Sequence, residues 1–71
     1  MKFSIMDVTG HSEEQYSAAE RAAAGVKFTE LLRSGHTAAV RAPGEREYAL
    51  TRELPEGEDA EVLFIPQLKG G

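Results

Sequence analysis

The sequence predicts an α+β domain in which one helix packs on one face of a mixed sheet of four to five strands. The first supporting observation is the start of the chain, where Phe3 and Ile5 alternate with polar residues, as in a half-buried strand. The second is an alanine-rich segment that opens with a capping signal and ends at Gly35. The third is a continuous apolar run over residues 62–65. A chain of 71 residues has room for one domain.

The N-terminal segment predicts a hairpin. Residues 2–7 form its first strand, and Val8-Thr9-Gly10 forms the turn, because glycine can adopt the positive φ that a bulged hairpin turn needs. Residues 11–16 form the return strand. Since Glu13-Glu14-Gln15 offers little apolar surface, we expect this strand to be a short, exposed edge.

The helix is predicted from its signals and its apolar stripe. Ser17 and Glu20 have the spacing of a capping box, and Gly35 is placed to end the helix in the left-handed conformation. Lys27 falls outside the stripe and is expected to be partly exposed. The apolar positions that share one helical face are Ala19, Ala24, Phe28, Leu31 and Leu32.

The second half of the chain predicts three further strands, over residues 37–41, 47–51 and 61–65. The last is the strongest. Its four consecutive apolar residues indicate a central strand that is buried on both faces, and Pro66 should end it because proline cannot donate to a ladder.

This order of elements places the first and last strands side by side and parallel in the middle of the sheet, with the helix crossing one face. That is the β-grasp arrangement. We therefore predict a β-grasp domain over residues 1–66 and a C-terminal tail over residues 67–71. The predicted core consists of Phe3, Ile5, Phe28, Leu31, Val62 and Phe64.

Composition argues against several classes of function. The formal charge of −4 opposes sequence-independent binding to nucleic acid, which needs a basic face. No apolar run approaches the roughly 20 residues of a membrane span, and the N-terminus does not resemble a signal peptide. With no cysteine and only two histidines, a catalytic or metal constellation is hard to assemble, so we expect no metal site and no catalytic residue. A monomeric cytoplasmic protein is the simplest expectation.

Three parts of the chain resemble ubiquitin and its prokaryotic relatives. Met1-Lys2-Phe3-Ser4-Ile5 is similar to the first strand of ubiquitin, and Val8-Thr9-Gly10 is similar to its Leu-Thr-Gly turn. Val26-Lys27 and Gly35 have equivalent spacing in the helix. The terminal Leu68-Lys69-Gly70-Gly71 differs from the family ending, Leu-Arg-Gly-Gly, only by lysine for arginine.

The resemblance implies a protein modifier that an ATP-dependent adenylating enzyme activates at its C-terminus. Such a protein would be a substrate, with no cofactor and no enzymatic activity of its own. Gly71 would be the reacting residue, and Gly70 would pass through the narrow channel of that enzyme. Gln67, Leu68 and Lys69 would be recognised just outside the channel. The implied partners are the activating enzyme, a conjugating enzyme, a deconjugating peptidase and covalent target proteins, joined through isopeptide bonds.

Some positions depart from the family pattern. Pro66 and Gln67 replace an apolar residue and an arginine at the start of the tail, which implies a dedicated activating enzyme. The receptor-binding patch of ubiquitin cannot be transferred residue by residue. If copies are joined to one another, Lys27 is a possible acceptor, and so is the amine of Met1. A bacterial or phage source fits the resemblance.

Two alternatives share the same fold. One is a sulfur carrier, in which a sulfur donor attacks the adenylate and leaves a C-terminal thiocarboxylate. The other is a phage or structural assembly domain that never uses its terminus, with the two final glycines serving as a flexible end. The sequence leaves both open.

Overall fold

The computed structural model describes residues 1–7, 9–57 and 59–66. One helix packs against a mixed sheet whose strands lie in the order β2-β1-β5-β3-β4. The predicted α+β class is confirmed, and the arrangement is compatible with a β-grasp fold. The elements are β1 (Lys2–Asp7), β2 (Gly10–Gln15), α1 (Arg21–Arg33), β3 (Thr37–Arg41), β4 (Ala49–Thr51) and β5 (Glu61–Ile65).

The first and last strands form the centre of the sheet, as predicted. β1 and β5 are parallel, and β5 is antiparallel to β3 on its other side. β2 and β4 form the two edges, each antiparallel to its neighbour. Met1 lengthens the hairpin by one pair: its amine donates to the Tyr16 carbonyl oxygen over 2.9 Å, and the Tyr16 N–H donates to the Met1 carbonyl oxygen over 2.8 Å. Because β1 lies on one side of β5 and β3 on the other, β5 is hydrogen-bonded on both sides.

Local signals account for the ends of the helix. A 3₁₀ turn over Ala18–Glu20 precedes α1, and the predicted capping box is present. The Glu20 carboxylate accepts the Ser17 N–H over 2.9 Å, and the hydrogen bonds from Ser17 lower the pKa of Glu20. At the other end Gly35 has a φ of 101°, the left-handed conformation that favours glycine.

Four aromatic rings meet at the centre of the core. Phe3 lies 5.0 Å from Phe64 and 5.0 Å from Tyr16, measured between ring centroids. Phe28 brings the helix to the same point, 5.5 Å from Phe64. The predicted core is confirmed, with two alanines in addition. The buried cluster is Phe3, Ile5, Ala24, Phe28, Leu31, Ala38, Val62 and Phe64.

Three predictions about burial and length are wrong in detail. Ala19 is exposed, because it lies in the 3₁₀ turn and does not follow the phase of α1. β5 is buried on one face only: Val62 and Phe64 are fully covered, whereas Ile65 is 41% exposed. β4 is also shorter than the predicted 47–51, and Tyr48 instead places its ring 5.0 Å from the Arg41 guanidinium.

Among the described residues, no helix is long and apolar enough to cross a membrane.

Candidate functional site

The predicted reactive tail, Gln67, Leu68, Lys69, Gly70 and Gly71, lies outside the described residues. The described part of the site is the end of β5, which precedes the tail in the sequence. β5 ends at Ile65, and Pro66 follows it, half-buried. The features of the domain around Ile65 and Pro66 therefore define the surface next to the tail.

The helix covers one face of the sheet, and the other face is open. Strand register arranges the open face in rows. The row farthest from Pro66 is charged: Lys2 pairs with Glu61 in register, and Glu61 pairs with Arg41. Arg41 Nη2 lies 2.6 Å from Glu61 Oε2, and Lys2 Nζ lies 3.5 Å from an oxygen of Glu13. This end of the face consists of partly exposed ion pairs.

The rows nearer Pro66 are mostly apolar. Leu63 pairs with Ala39 in register, and Ala39 pairs with Leu50, which is 76% exposed. Because Ile5 pairs with Phe64 in the parallel strands, the next residues, Met6 and Ile65, lie at the same level. Met6 is 44% exposed. The open face thus changes from charged to apolar towards the end of β5.

The sequence contained a signal for this surface. The prediction that β5 is buried on both faces misread that signal. Leu63 and Ile65 alternate with the buried Val62 and Phe64, so a one-sided sheet leaves them outside. A continuous apolar run does not distinguish a strand that is buried on both faces of the sheet from one that is buried on one face and presents apolar residues on the other.

A groove of about 640 Å³ lies beside the end of β5, between the C-terminal end of α1 and β4. Thr37, which pairs with Ile65, lies in its lining. Leu32 and Leu50 contribute apolar side chains, and Arg52 contributes a positive charge. The full lining is Leu32, Gly35, His36, Thr37, Ala38, Leu50, Thr51 and Arg52.

Hydrogen bonds hold the helix end that borders the groove. The His36 N–H donates to the Leu31 carbonyl oxygen, and the Gly35 N–H donates to that of Leu32, both over 3.1 Å, which is the Schellman pattern. The Ser34 hydroxyl donates to the Leu31 carbonyl oxygen over 2.8 Å. Its single proton is then used, so it accepts from His36 Nδ1, 2.9 Å away. The geometry fixes the position of the imidazole.

Two predicted acceptor groups lie within the described part of the chain, the Met1 amine, which donates to the Tyr16 carbonyl oxygen, and Lys27. The Lys27 side chain is 37% exposed, so the expected partial exposure is confirmed, and its Nζ lies 3.9 Å from Glu14 Oε2. Glu14 also accepts the Tyr16 hydroxyl over 2.9 Å. Burial, and then this carboxylate, raise the pKa of Tyr16 to about 12. Lys27 thus links the helix to β2 at the surface.

The described residues contain no group of three or more histidine, aspartate or glutamate side chains placed to hold a metal ion. Comparison of the chain with protein-family models, with curated proteins and with solved structures finds no match. The function must therefore be argued from the residues and their geometry.

Proposed function

We propose that this protein is a ubiquitin-like modifier, conjugated to amines of target proteins through Gly71. The observation that supports the proposal is the position of β5. It is the last strand of the sheet, it lies at the centre, and the sequence Gln67-Leu68-Lys69-Gly70-Gly71 follows it after one proline. An enzyme that threads a C-terminus into a channel requires a peptide without bulky side chains at its end, and Gly70-Gly71 has that composition.

The proposed chemistry takes place at the Gly71 carboxylate, and partner enzymes perform it. The carboxylate attacks the α-phosphorus of ATP and displaces pyrophosphate, which gives an acyl-adenylate. An enzyme cysteine thiolate then displaces AMP and forms a thioester. A target lysine amine, after losing a proton, displaces that thiolate and forms an isopeptide bond. The modifier contributes no catalytic group and acts as substrate throughout.

Gly70 and Gly71 suit this chemistry because neither has a side chain and both have a permissive backbone. Leu68 and Lys69 provide an apolar and a charged group for recognition outside the channel, and Gln67 distinguishes this tail from that of ubiquitin. The proposed partners are an adenylating enzyme, a conjugating enzyme and a deconjugating peptidase in a bacterial cytoplasm. The apolar half of the open face adjoins the end of β5 and is available to such partners.

The test is reconstitution with the candidate adenylating enzyme and ATP, followed by intact mass measurement. We expect the wild-type chain to form a thioester with the enzyme. Deletion of Gly71, or Gly70→Val, should abolish it. Gly57→Val is the matched control, because Gly57 is exposed, has no positive φ and has open space where a Cβ would point.

The outcomes separate the three functions. A thioester that depends on Gly70 and Gly71 supports the modifier. A stable thiocarboxylate in the presence of a sulfur donor would assign the protein to sulfur transfer. Normal thioester formation by Gly70→Val would contradict the role of the tail. Absence of any adduct with the enzymes encoded beside it would favour the assembly domain.

A further inference from the structure

We infer that the outer edge of β4 binds an extended segment of a partner protein, which adds a sixth strand to the sheet. The segment carries apolar residues and, two positions from the residue that covers Leu50, an acidic one. This partner goes beyond the proposed function, because the β4 edge takes no part in the chemistry of the tail and its binding can be measured without any conjugating enzyme.

The two edges of the sheet differ in charge. β2 and β4 are the outermost strands, so neither has a neighbouring strand on its outer side within the described sheet. β2 carries Glu13 and Glu14, and charges on an edge strand discourage a further strand from pairing with it. β4 carries no charged side chain, and both Ala49 and Leu50 are exposed. The β4 edge is therefore the more permissive of the two for strand addition.

Apolar side chains border β4 on both faces of the sheet. Leu50 pairs in register with Ala39 and belongs to the open face, where it is 76% exposed. Thr51 pairs with Ala38 of the buried core, so it lies on the helix face, and it lines the groove together with Leu32. Side chains of a strand alternate between the two faces of a sheet. One added strand would thus cover Leu50 with one residue and direct the next residue towards the groove.

A positive charge lies at the end of the same edge. Arg52 directly follows β4 and lines the groove. It makes no ion pair with any described residue, whereas Lys2, Lys27 and Arg41 each lie near a carboxylate. Residues two apart in an extended segment lie on the same side, so an acidic residue two positions from the one over Leu50 would meet Arg52. Because the formal charge of −4 opposes acidic segments elsewhere, this cation makes the position selective.

The contributions to binding differ in kind. Main-chain hydrogen bonds along β4 provide affinity, and the side chains over Leu50 and in the groove select an apolar sequence. An exposed ion pair with Arg52 adds little free energy but favours an acidic partner over a basic one. Since β4 has three residues, the contact is small, and we expect a dissociation constant of roughly 0.1 to 1 mM.

The test is titration of the full chain of 71 residues, labelled with ¹⁵N, with the peptide acetyl-Glu-Val-Leu-Val-Glu-amide. The order of residues in this peptide is the same from either end, so it presents leucine and glutamate two positions apart in a parallel or an antiparallel orientation. We expect saturable shifts of the amide signals over residues 49–52 and at Leu32 and Gly35, and none over residues 12–15 in β2. The matched peptide of opposite charge, acetyl-Lys-Val-Leu-Val-Lys-amide, should bind the β4 edge about five-fold more weakly.

Two variants test the assigned residues. Leu50→Ser and Arg52→Gln should each weaken binding of the glutamate peptide about three- to five-fold, which is the contribution of one cross-strand pair. Arg46→Gln is the control for loss of charge, because Arg46 is exposed and lies outside the groove lining. Met6→Ser is the control for loss of an exposed apolar side chain outside the groove. Both controls should leave the affinity unchanged.

Several results would contradict strand addition at β4. Shifts that do not saturate by about 5 mM peptide, or that centre on β2, would overturn the inference. Equal affinities of the Arg52→Gln and Arg46→Gln variants would also overturn it. Shifts over β4 that depend on the concentration of the chain alone would show that a second copy covers the edge, which overturns the inference as well. None of these results bears on whether an adenylating enzyme accepts the tail, so the proposed function stands or falls separately.

Discussion

Replacement of Phe28 by alanine tests whether the helix and the sheet are held together at a single aromatic cluster. Phe28 is 3% exposed and joins α1 to the two central strands. Its ring lies 5.5 Å from that of Phe64, at 70°, and 6.4 Å from that of Phe3, at 56°. Phe28→Ala would remove both contacts and leave a cavity between helix and sheet.

The expected loss is large for a domain of this size. Phe→Ala substitutions in a core cost about 3 to 5 kcal/mol, from the lost transfer free energy and from the cavity. The edge-on pair with Phe64 places the expected cost of Phe28→Ala towards the upper part of that range. The free energy of unfolding of a 71-residue domain is roughly 4 to 11 kcal/mol. We therefore expect Phe28→Ala to lose about half of the stability or to unfold the domain.

Urea denaturation followed by circular dichroism measures this loss. Val26→Ala is the matched control: Val26 lies on the same helix, 60% exposed, and its truncation should change the stability by less than about 0.5 kcal/mol. Phe28→Leu is a milder variant, which keeps the measurement possible if Phe28→Ala does not fold. A loss below about 1 kcal/mol for Phe28→Ala would refute the reasoning, because it would place the side chain outside a tightly packed core.

Two further predictions concern Tyr16 and the acceptor lysines. Because Tyr16 titrates near 12 in the fold but near 10 when unfolded, stability should fall from about pH 10 to 12. Tyr48→Phe leaves Tyr16 as the sole tyrosine for an absorbance titration, in which Glu14→Gln should lower its pKa. If the proposed conjugation occurs, single modifiers should predominate, with short chains through Lys27 or the N-terminal amine. Abundant long chains through Lys69 in conjugates analysed by mass spectrometry would contradict this.

The sequence predicts the fold well where periodicity and local signals agree. The alternation of Phe3 and Ile5 gives both the strand and its buried face, and Gly35 ends the helix by a conformation that few other residues adopt. The prediction fails at Ala19, where a 3₁₀ turn changes the phase of the helix. A hydrophobic pattern does not specify the pitch of the first turn.

The groove could not be predicted from the sequence, because its walls come from segments that are distant along the chain. Leu32 and His36 lie at the end of the helix, whereas Leu50 and Arg52 lie at the far edge of the sheet. Only the pairing of β3 with both β4 and β5 brings these segments to the point where β5 ends. The pairing of strands is a long-range property that each strand pattern leaves open.

The central position of β5 connects the stability of the domain to the proposed use of its tail. Phe64 is fully buried, contacts both Phe3 and Phe28, and lies two residues before Pro66. Ladders on both sides of β5 fix its backbone. A small domain without disulfides usually has low resistance to local opening, yet here the last described strand is paired on both sides and carries two fully buried side chains, Val62 and Phe64. An enzyme that draws the tail into a channel would therefore pull on a strand that two ladders and the aromatic core hold, and we expect the domain to stay folded while its terminus reacts.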